Sequence, residues 1–390
     1  MPHLGGNMSA NIANRARIVE HFSICKDHRT RPVSYPMIEI IVLVVLATVC
    51  GEEGWEGHVE WGKDKLKQLR KFLPFENGIP CPDTVRRVME RINPKEFRKA
   101  FIAWATDLKE RVSEHICIDG KTLRKSMTEK GPLHIVSAWS KKNRLVLECV
   151  KTSVSEAGKT KKTNEIKAME ELLDLLVLKE GDVITIDAIG CQKAITAKIR
   201  AQKADYILAL KGNHPKLFAE AENFFTQALE ALEFAPMMAC SSRTLGHGRS
   251  DIRQVFVSTE IDWLPEKLRN EWVDLRSIAM VVRTWKKDGK EHVQKRYYIS
   301  SLENSPEKIG ECTQGHWSIE NDLHWQLDIT FREDDSQISP TSNENLRVAR
   351  EMSLQMLTKE TTYEKGLRAK MRRCHRSEDY LEQVLLVGNF

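Results

Sequence analysis

HICIDGKTLRKS, residues 115–126, decides how the rest of the chain is read. It opens as a short apolar strand and ends on an Asp-Gly step, Asp119–Gly120. On a strand, Ile116 and Ile118 share one face while Cys117 and Asp119 share the other. A second stretch, VITIDAIG at 183–190, repeats the arrangement: Ile184 and Ile186 oppose Val183, Thr185 and Asp187. Strands apolar on both faces belong in the middle of a sheet. A carboxylate at the end of such a strand is expensive to desolvate unless a cation or a donor meets it. Taken singly, either Asp reads equally well as a turn or helix-cap residue. Taken together, two acids at strand ends point to a shared cation site, where open sheets gather their ligands.

The surrounding pattern supplies the rest of a mixed sheet. HIVSAWS (134–140) and LVLECVKT (145–152) are strand candidates joined by a Lys-Lys-Asn turn. NEIKAMEELLDLLVL (164–178) is an amphipathic helix, and AITAKIRAQK (194–203) precedes a further strand, DYILALKG (205–212). An early meander followed by helix and strand alternation predicts an α/β fold, a mixed sheet with helices packed on it. Residues 213–235 read as helix, 240–300 as β-rich with a hairpin turn at Asp288–Gly289, and 306–330 and 342–358 as helix again.

Upstream, residues 1–30 are polar and basic and read as a loose arm, with Met8 an alternative start. Residues 31–112 read as helical. The run IIVLVVLATVC (40–50) falls short of the roughly 20 residues a bilayer span needs and is expected as a buried helix. Basic residues cluster here: Lys63, Lys65, Lys67, Arg70, Lys71, Arg86, Arg87 and Arg91. They form either a DNA-contacting surface or a solvated helix face. A net charge of +5 permits nucleic-acid binding without demanding it. Nine cysteines with no Cys-x2-Cys pair exclude a zinc ribbon and suit a reducing, cytoplasmic setting.

One more stretch carries chemistry. HWSIENDLHWQLD (316–328) sets His316, Glu320 and His324 at intervals of four, on one side of a regular helix. Glu320 is a third carboxylate, and oxygen donors from two strands and a helix suit Mg2+. A zinc site fits poorly, because His316 and His324 would stand about 12 Å apart along the axis. The histidines are instead expected in the same cleft, touching phosphates or orienting Glu320, and Trp317 and Trp325 are expected in the core. Lys121 and Arg124 after Asp119, Lys211 and Asn213 after a strand end, and Arg249 and Arg253 in HGRSDIR are candidate DNA contacts.

The ordered set CIDGKTLRKS, NEI, TIDAIGCQKAI, ADYILALKGNHPKL, HGRSDIR and HWSIENDLHWQLDITFREDDSQI resembles the H-repeat-associated transposases, a branch of the insertion-sequence DDE transposases. The likeness runs from about residue 20 to about 360. It implies an RNase H-like catalytic core at 113–360, a β-rich insertion at about 236–302 before the Glu-bearing helix, a helical transposase-associated region at 31–112, and a C-terminal tail at 361–390. It also implies a catalytic and metal-binding triad of Asp119, Asp187 and Glu320. With it come Mg2+ or Mn2+, two ions, double-stranded DNA at transposon ends and at the target, a homodimer on two ends, and no membrane. The broader group's signature around the Glu, Tyr-x2-Arg-x3-Glu-x6-Lys, is changed here to Thr313, His316 and Leu327, and Gln314 stands before His-Trp. The Arg and Lys phosphate contacts therefore do not carry over. The implied function is end-specific strand cleavage and transfer; a catalytically silent or domesticated DNA-binding protein is the alternative.

Overall fold

In the computed structural model, the described residues are 20–30, 33–107, 113–128, 131–152, 161–230, 237–246, 249–287, 290–303, 305–336 and 338–388. Most of the expected arm and the expected turn at 288–289 lie outside them.

Nine strands form one mixed sheet. They are β1 (His115–Thr128), β2 (Gly131–Ser140), β3 (Leu145–Lys151), β4 (Val183–Ile186), β5 (Asp205–Leu210), β6 (Met238–Gly246), β7 (Arg249–Ser258), β8 (Ser277–Lys287) and β9 (Lys290–Ser300). Their spatial order is β3-β2-β1-β4-β5-β9-β8-β7-β6. β1, β2 and β3 form an antiparallel meander, while β4 runs parallel to β1 and β5 parallel to β4. The four later strands are antiparallel and join through β9 against β5, with Ile207 opposite Ser300. They therefore extend the same sheet.

Helices α1 (Met37–Val49), α2 (Gly54–Asp64), α3 (Pro82–Arg91) and α4 (Pro94–Asp107) precede the sheet. Helix α1 is apolar all round, and Ile40 to Ala47 are fully buried, as expected of a core helix. Among the described residues no helix is long and apolar enough to cross a membrane. Helices α5 (Lys161–Leu175), α6 (Lys193–Ala201) and α7 (Pro215–Glu230) cover the sheet face that carries Ile116, Ile118, Ile184 and Ile186. Helix α8 (Pro306–Gly315) packs on the opposite face, against Val255, Val257, Ala279 and Val281.

A π-helical turn, Ile319–His324, leads from α8 into the short α9 (Trp325–Ile329). Ile319, Leu323 and Leu327 bury into one core with Cys117, Trp139 and helices α1 to α4. Helices α10 (Pro340–Lys359), α11 (Leu367–Arg376) and α12 (Glu378–Val387) complete that core. The Glu320 segment is thus clamped between the sheet and the N-terminal helices.

Candidate active site

Strand register builds the site. Ile118 is the partner of Ile186, so Asp119 and Asp187 stand side by side one step beyond the last β1–β4 pair; only β4 ends there, because β1 does not stop at the Asp-Gly step as expected but runs on to Thr128, paired with β2. Asp187 also caps a short 3-10 turn, accepting from the Ile189 N–H at 3.0 Å. Glu320 is exposed on the π turn and lines the same cleft of about 460 Å³. The cleft also holds Thr185, Lys211, Arg296, Tyr298, His316 and Trp317.

The two aspartates crowd one another in a buried setting. Burial, then Asp187, Glu165 and Glu320, push Asp119 up to about 7, although the Gly120 N–H works the other way. Burial and Glu165 also raise Asp187, against the Ile189 N–H and Lys211. Crowded carboxylates of this kind lack positive charge, which a divalent cation would supply. The donor set is all oxygen, which fits Mg2+ or Mn2+. Among the described residues no three His, Cys, Asp or Glu side chains already converge on one point.

Glu165 escaped the sequence reading, although its NEI motif was noticed. It lies near the N-terminal end of α5, 8% exposed, with His134 Nε2 at 3.5 Å. Gly120 makes room for it: a Cβ there would fall 2.3 Å from Glu165 Oε1 and 2.7 Å from His134 Nε2. The small residue after Asp119 was the available signal.

The expected helpers divide. Lys211 lines the cleft. Asn213 instead ties the turn after β4 to the β5 end, donating to the Ala188 carbonyl at 2.7 Å. Lys121 is buried rather than offered to a phosphate. Its ammonium pairs with Asp328 and, at 3.0 Å, with Glu333. The side chains of Arg124 and Arg249 lie outside the described part. Arg253 sits 3.7 Å from Asp251 on β7. In the N-terminal region Lys65, Lys71 and Arg86 pair with Glu378, Glu382 and Asp83, respectively.

The two histidines also separate, because the π turn breaks the even spacing a regular helix would have kept. His316 lines the cleft and hydrogen-bonds through Nδ1 to Thr185 Oγ1 at 3.0 Å; Thr185 in turn meets His115 Nε2 at 2.8 Å. His324 is 6% exposed and approaches Asp119, with Nδ1 3.6 Å from Oδ2. Burial holds His316 down to about 4, helped by Arg296. Burial, Arg347 and Lys121 hold His324 down to about 3. Both are neutral at pH 7. Trp317 and Trp325, expected in the core, are 42% and 52% exposed.

Comparison with known proteins decides the family. Residues 110–352 match the profile described as "Transposase DDE domain", and residues 19–105 match the one described as "DDE_Tnp_1-associated". The chain belongs to the DDE transposase family. It is 36% identical over 381 residues to the Escherichia coli K12 protein named "H repeat-associated putative transposase YhhI", spanning 95% of this chain and 97% of that one. It is also 36% identical over 379 residues to the Escherichia coli O157:H7 "Putative transposase YncI", spanning 94% of each. The resemblance read from the motifs therefore holds for nearly the whole chain of this transposase-family member. A piggyBac transposase synaptic complex with hairpin DNA superposes with a TM-score of 0.42 at 9% identity, covering 97% of this chain and 79% of that one. That likeness is too distant to carry an argument.

Proposed function

We propose that this chain is an insertion-sequence transposase that binds the terminal inverted repeats of its element, cuts DNA strands there and joins the freed 3′ ends to a target. The observation that carries the reading is the placement of Asp119, within β1, beside Asp187, just past the end of β4, with Glu320 across one cleft. The β3-β2-β1-β4-β5 order, with β4 and β5 parallel to β1, supports an RNase H-like core. Strands β6 to β9 would be the insertion before the Glu-bearing helix.

Asp119, Asp187 and Glu320 would hold Mg2+ or Mn2+, about two ions. Bound there, the ions would activate the attacking hydroxyl and stabilise the leaving oxygen. The remaining work falls to the chain itself. The β1–β4 pairing fixes two carboxylates side by side, and the Ile189 N–H orients Asp187. Lys211 offers positive charge to the phosphodiester, and Thr185 holds His316 in a fixed orientation at the cleft wall. His324 packs behind Asp119, with Nδ1 3.6 Å from Oδ2. Two chains would act on two ends as a homodimer, in the cytoplasm and on the nucleoid.

The test is to incubate the full chain with duplex DNA carrying its own element's ends, with Mg2+ or Mn2+. Nicking at the ends followed by 3′-end joining is expected. Nicking without joining makes it a nuclease. End-specific binding without cutting makes it a silent DNA-binding protein.

A further inference from the structure

The sheet face beneath α8 changes character along its length. Val255 and Val257 on β7, Ala279 and Val281 on β8 and Tyr298 on β9 pack with Ile309 and Cys312 of α8. Further along the same face come Arg253, Arg283 and Arg296. Arg253 and Arg283 are direct cross-strand partners. Arg296 pairs with Val281 and so lies diagonal to Arg283. Like charges set directly opposite weaken a sheet, so this placement needs an anion to balance it.

Asp251 balances it only in part. Its Oδ2 accepts from Arg283 Nε at 2.7 Å and from Arg283 Nη2, while its Oδ1 makes no hydrogen bond among the described residues and lies 3.7 Å from Arg253 Nε. Arg253 Nη1 is buried with no hydrogen-bond partner among the described residues. Burial, Arg283 and Arg296 lower the Arg253 pKa, against Asp251. The three arginines line a small pocket with Gln294, Gln314 and Trp317. That pocket shares Arg296, Tyr298 and Trp317 with the carboxylate cleft, and the Arg296 guanidinium lies 5.0 Å above the Trp317 ring.

We propose that Arg253, Arg283 and Arg296 form a binding site for a DNA phosphate flanking the one being cut, on the strand that leaves the cleft past Trp317. Guanidinium forks match phosphate oxygens in pairs. An exposed Trp beside them offers a stacking platform for the intervening base. The phosphate would take the free Nη1 bond and offset the repulsion between β7 and β8. This inference rests on the transposase reading and adds where the strand runs.

The test measures binding of the full chain to a labelled duplex of its own element's end, across a salt series, for wild type and Arg253→Gln. The variant is expected to bind about tenfold more weakly, with a slope of log affinity against log salt smaller by about one. Methylphosphonates placed one at a time near the cut should reveal one flanking position that weakens wild type and leaves Arg253→Gln unaffected. Without DNA the variant should melt no lower than wild type, since it removes a repulsion. An unchanged slope and methylphosphonate pattern in a variant that melts like a cutting wild type would sink the arginine site and leave the transposase reading standing. A lower melting point without DNA would make Arg253 a structural residue and overturn the proposal. If wild type shows no preference for end DNA, the transposase reading fails and this inference fails with it.

Discussion

Alanine at Asp119, Asp187 or Glu320 is expected to slow strand cleavage by about 10³-fold or more while leaving binding to end DNA nearly intact. On the proposed reading, removing a carboxylate would delete a metal ligand, yet leave the basic residues proposed to meet phosphates. Binding should even strengthen slightly in the absence of metal, because each variant removes a negative charge facing the DNA backbone. Asp119→Ala and Asp187→Ala act one step beyond the last β1–β4 pair, so neither should disturb the ladder below them. Glu320 is exposed on the π turn, so Glu320→Ala should leave stability unchanged within about 0.5 kcal/mol. Single-turnover cleavage and equilibrium binding, measured on the same duplex, check this. Variants that cut as fast as wild type would place the chemistry elsewhere.

The largest effect on stability is expected from Glu333→Ala. Glu333 is fully buried and meets Arg347 at 2.8 Å and Lys121 at 3.0 Å. Arg347 also pairs with Glu351 at 2.9 Å, and Glu351 with Arg98 of α4. Burial alone would raise Glu333, but Arg347 and Lys121 hold it down to about 2. Its removal leaves the Lys121 ammonium with Asp328 and the Arg347 guanidinium with Glu351 as their remaining carboxylate partners in the interior, at a cost of about 3–5 kcal/mol. The network links β1, the Glu-bearing segment, α10 and α4, so its loss should loosen Asp119 and Glu320 together. Urea unfolding measures the loss. The double variant Glu333→Leu with Arg347→Met should recover part of it, since an apolar replacement strands fewer charges. A loss below about 1 kcal/mol for Glu333→Ala would contradict this reading of the network.

What was legible in the sequence was what depends on short-range periodicity. The alternation in HICID and VITID placed both aspartates on central strands, and no distant contact was needed to see it. The buried α1 was equally plain from its unbroken apolar run. What depends on distant partners was hidden. Lys121 looked like a phosphate ligand because Glu333 and Arg347 lie more than 200 residues along the chain. His316 and His324 looked like a matched pair because a regular helix was assumed, and the π turn sends them to Thr185 and to Asp119. Residues 240–300 read as β-rich, but only the β5–β9 pairing shows that they continue the central sheet. Glu165 reaches Asp119 through the packing of α5 over Gly120, which no local pattern announces.

Thermal melting of the metal-free chain, with and without Mg2+, tests whether the carboxylates form a cation site. Asp119 is raised from its ordinary value of 3.8 to about 7 in the folded protein, with 28% of its side chain exposed. Ionising it therefore costs the folded state more than the unfolded one. That penalty is absent below about pH 4, grows as pH rises, and is complete above about pH 7. With allowance for the exposed part it amounts to roughly 2 kcal/mol. At pH 8 without metal, Asp119→Asn should melt higher than wild type, and the gap should narrow at pH 5. Mg2+ should raise the wild-type melting temperature at pH 8 and leave that of Asp119→Asn almost unmoved. Equal responses of the two proteins to Mg2+, or no response from wild type, would contradict the account.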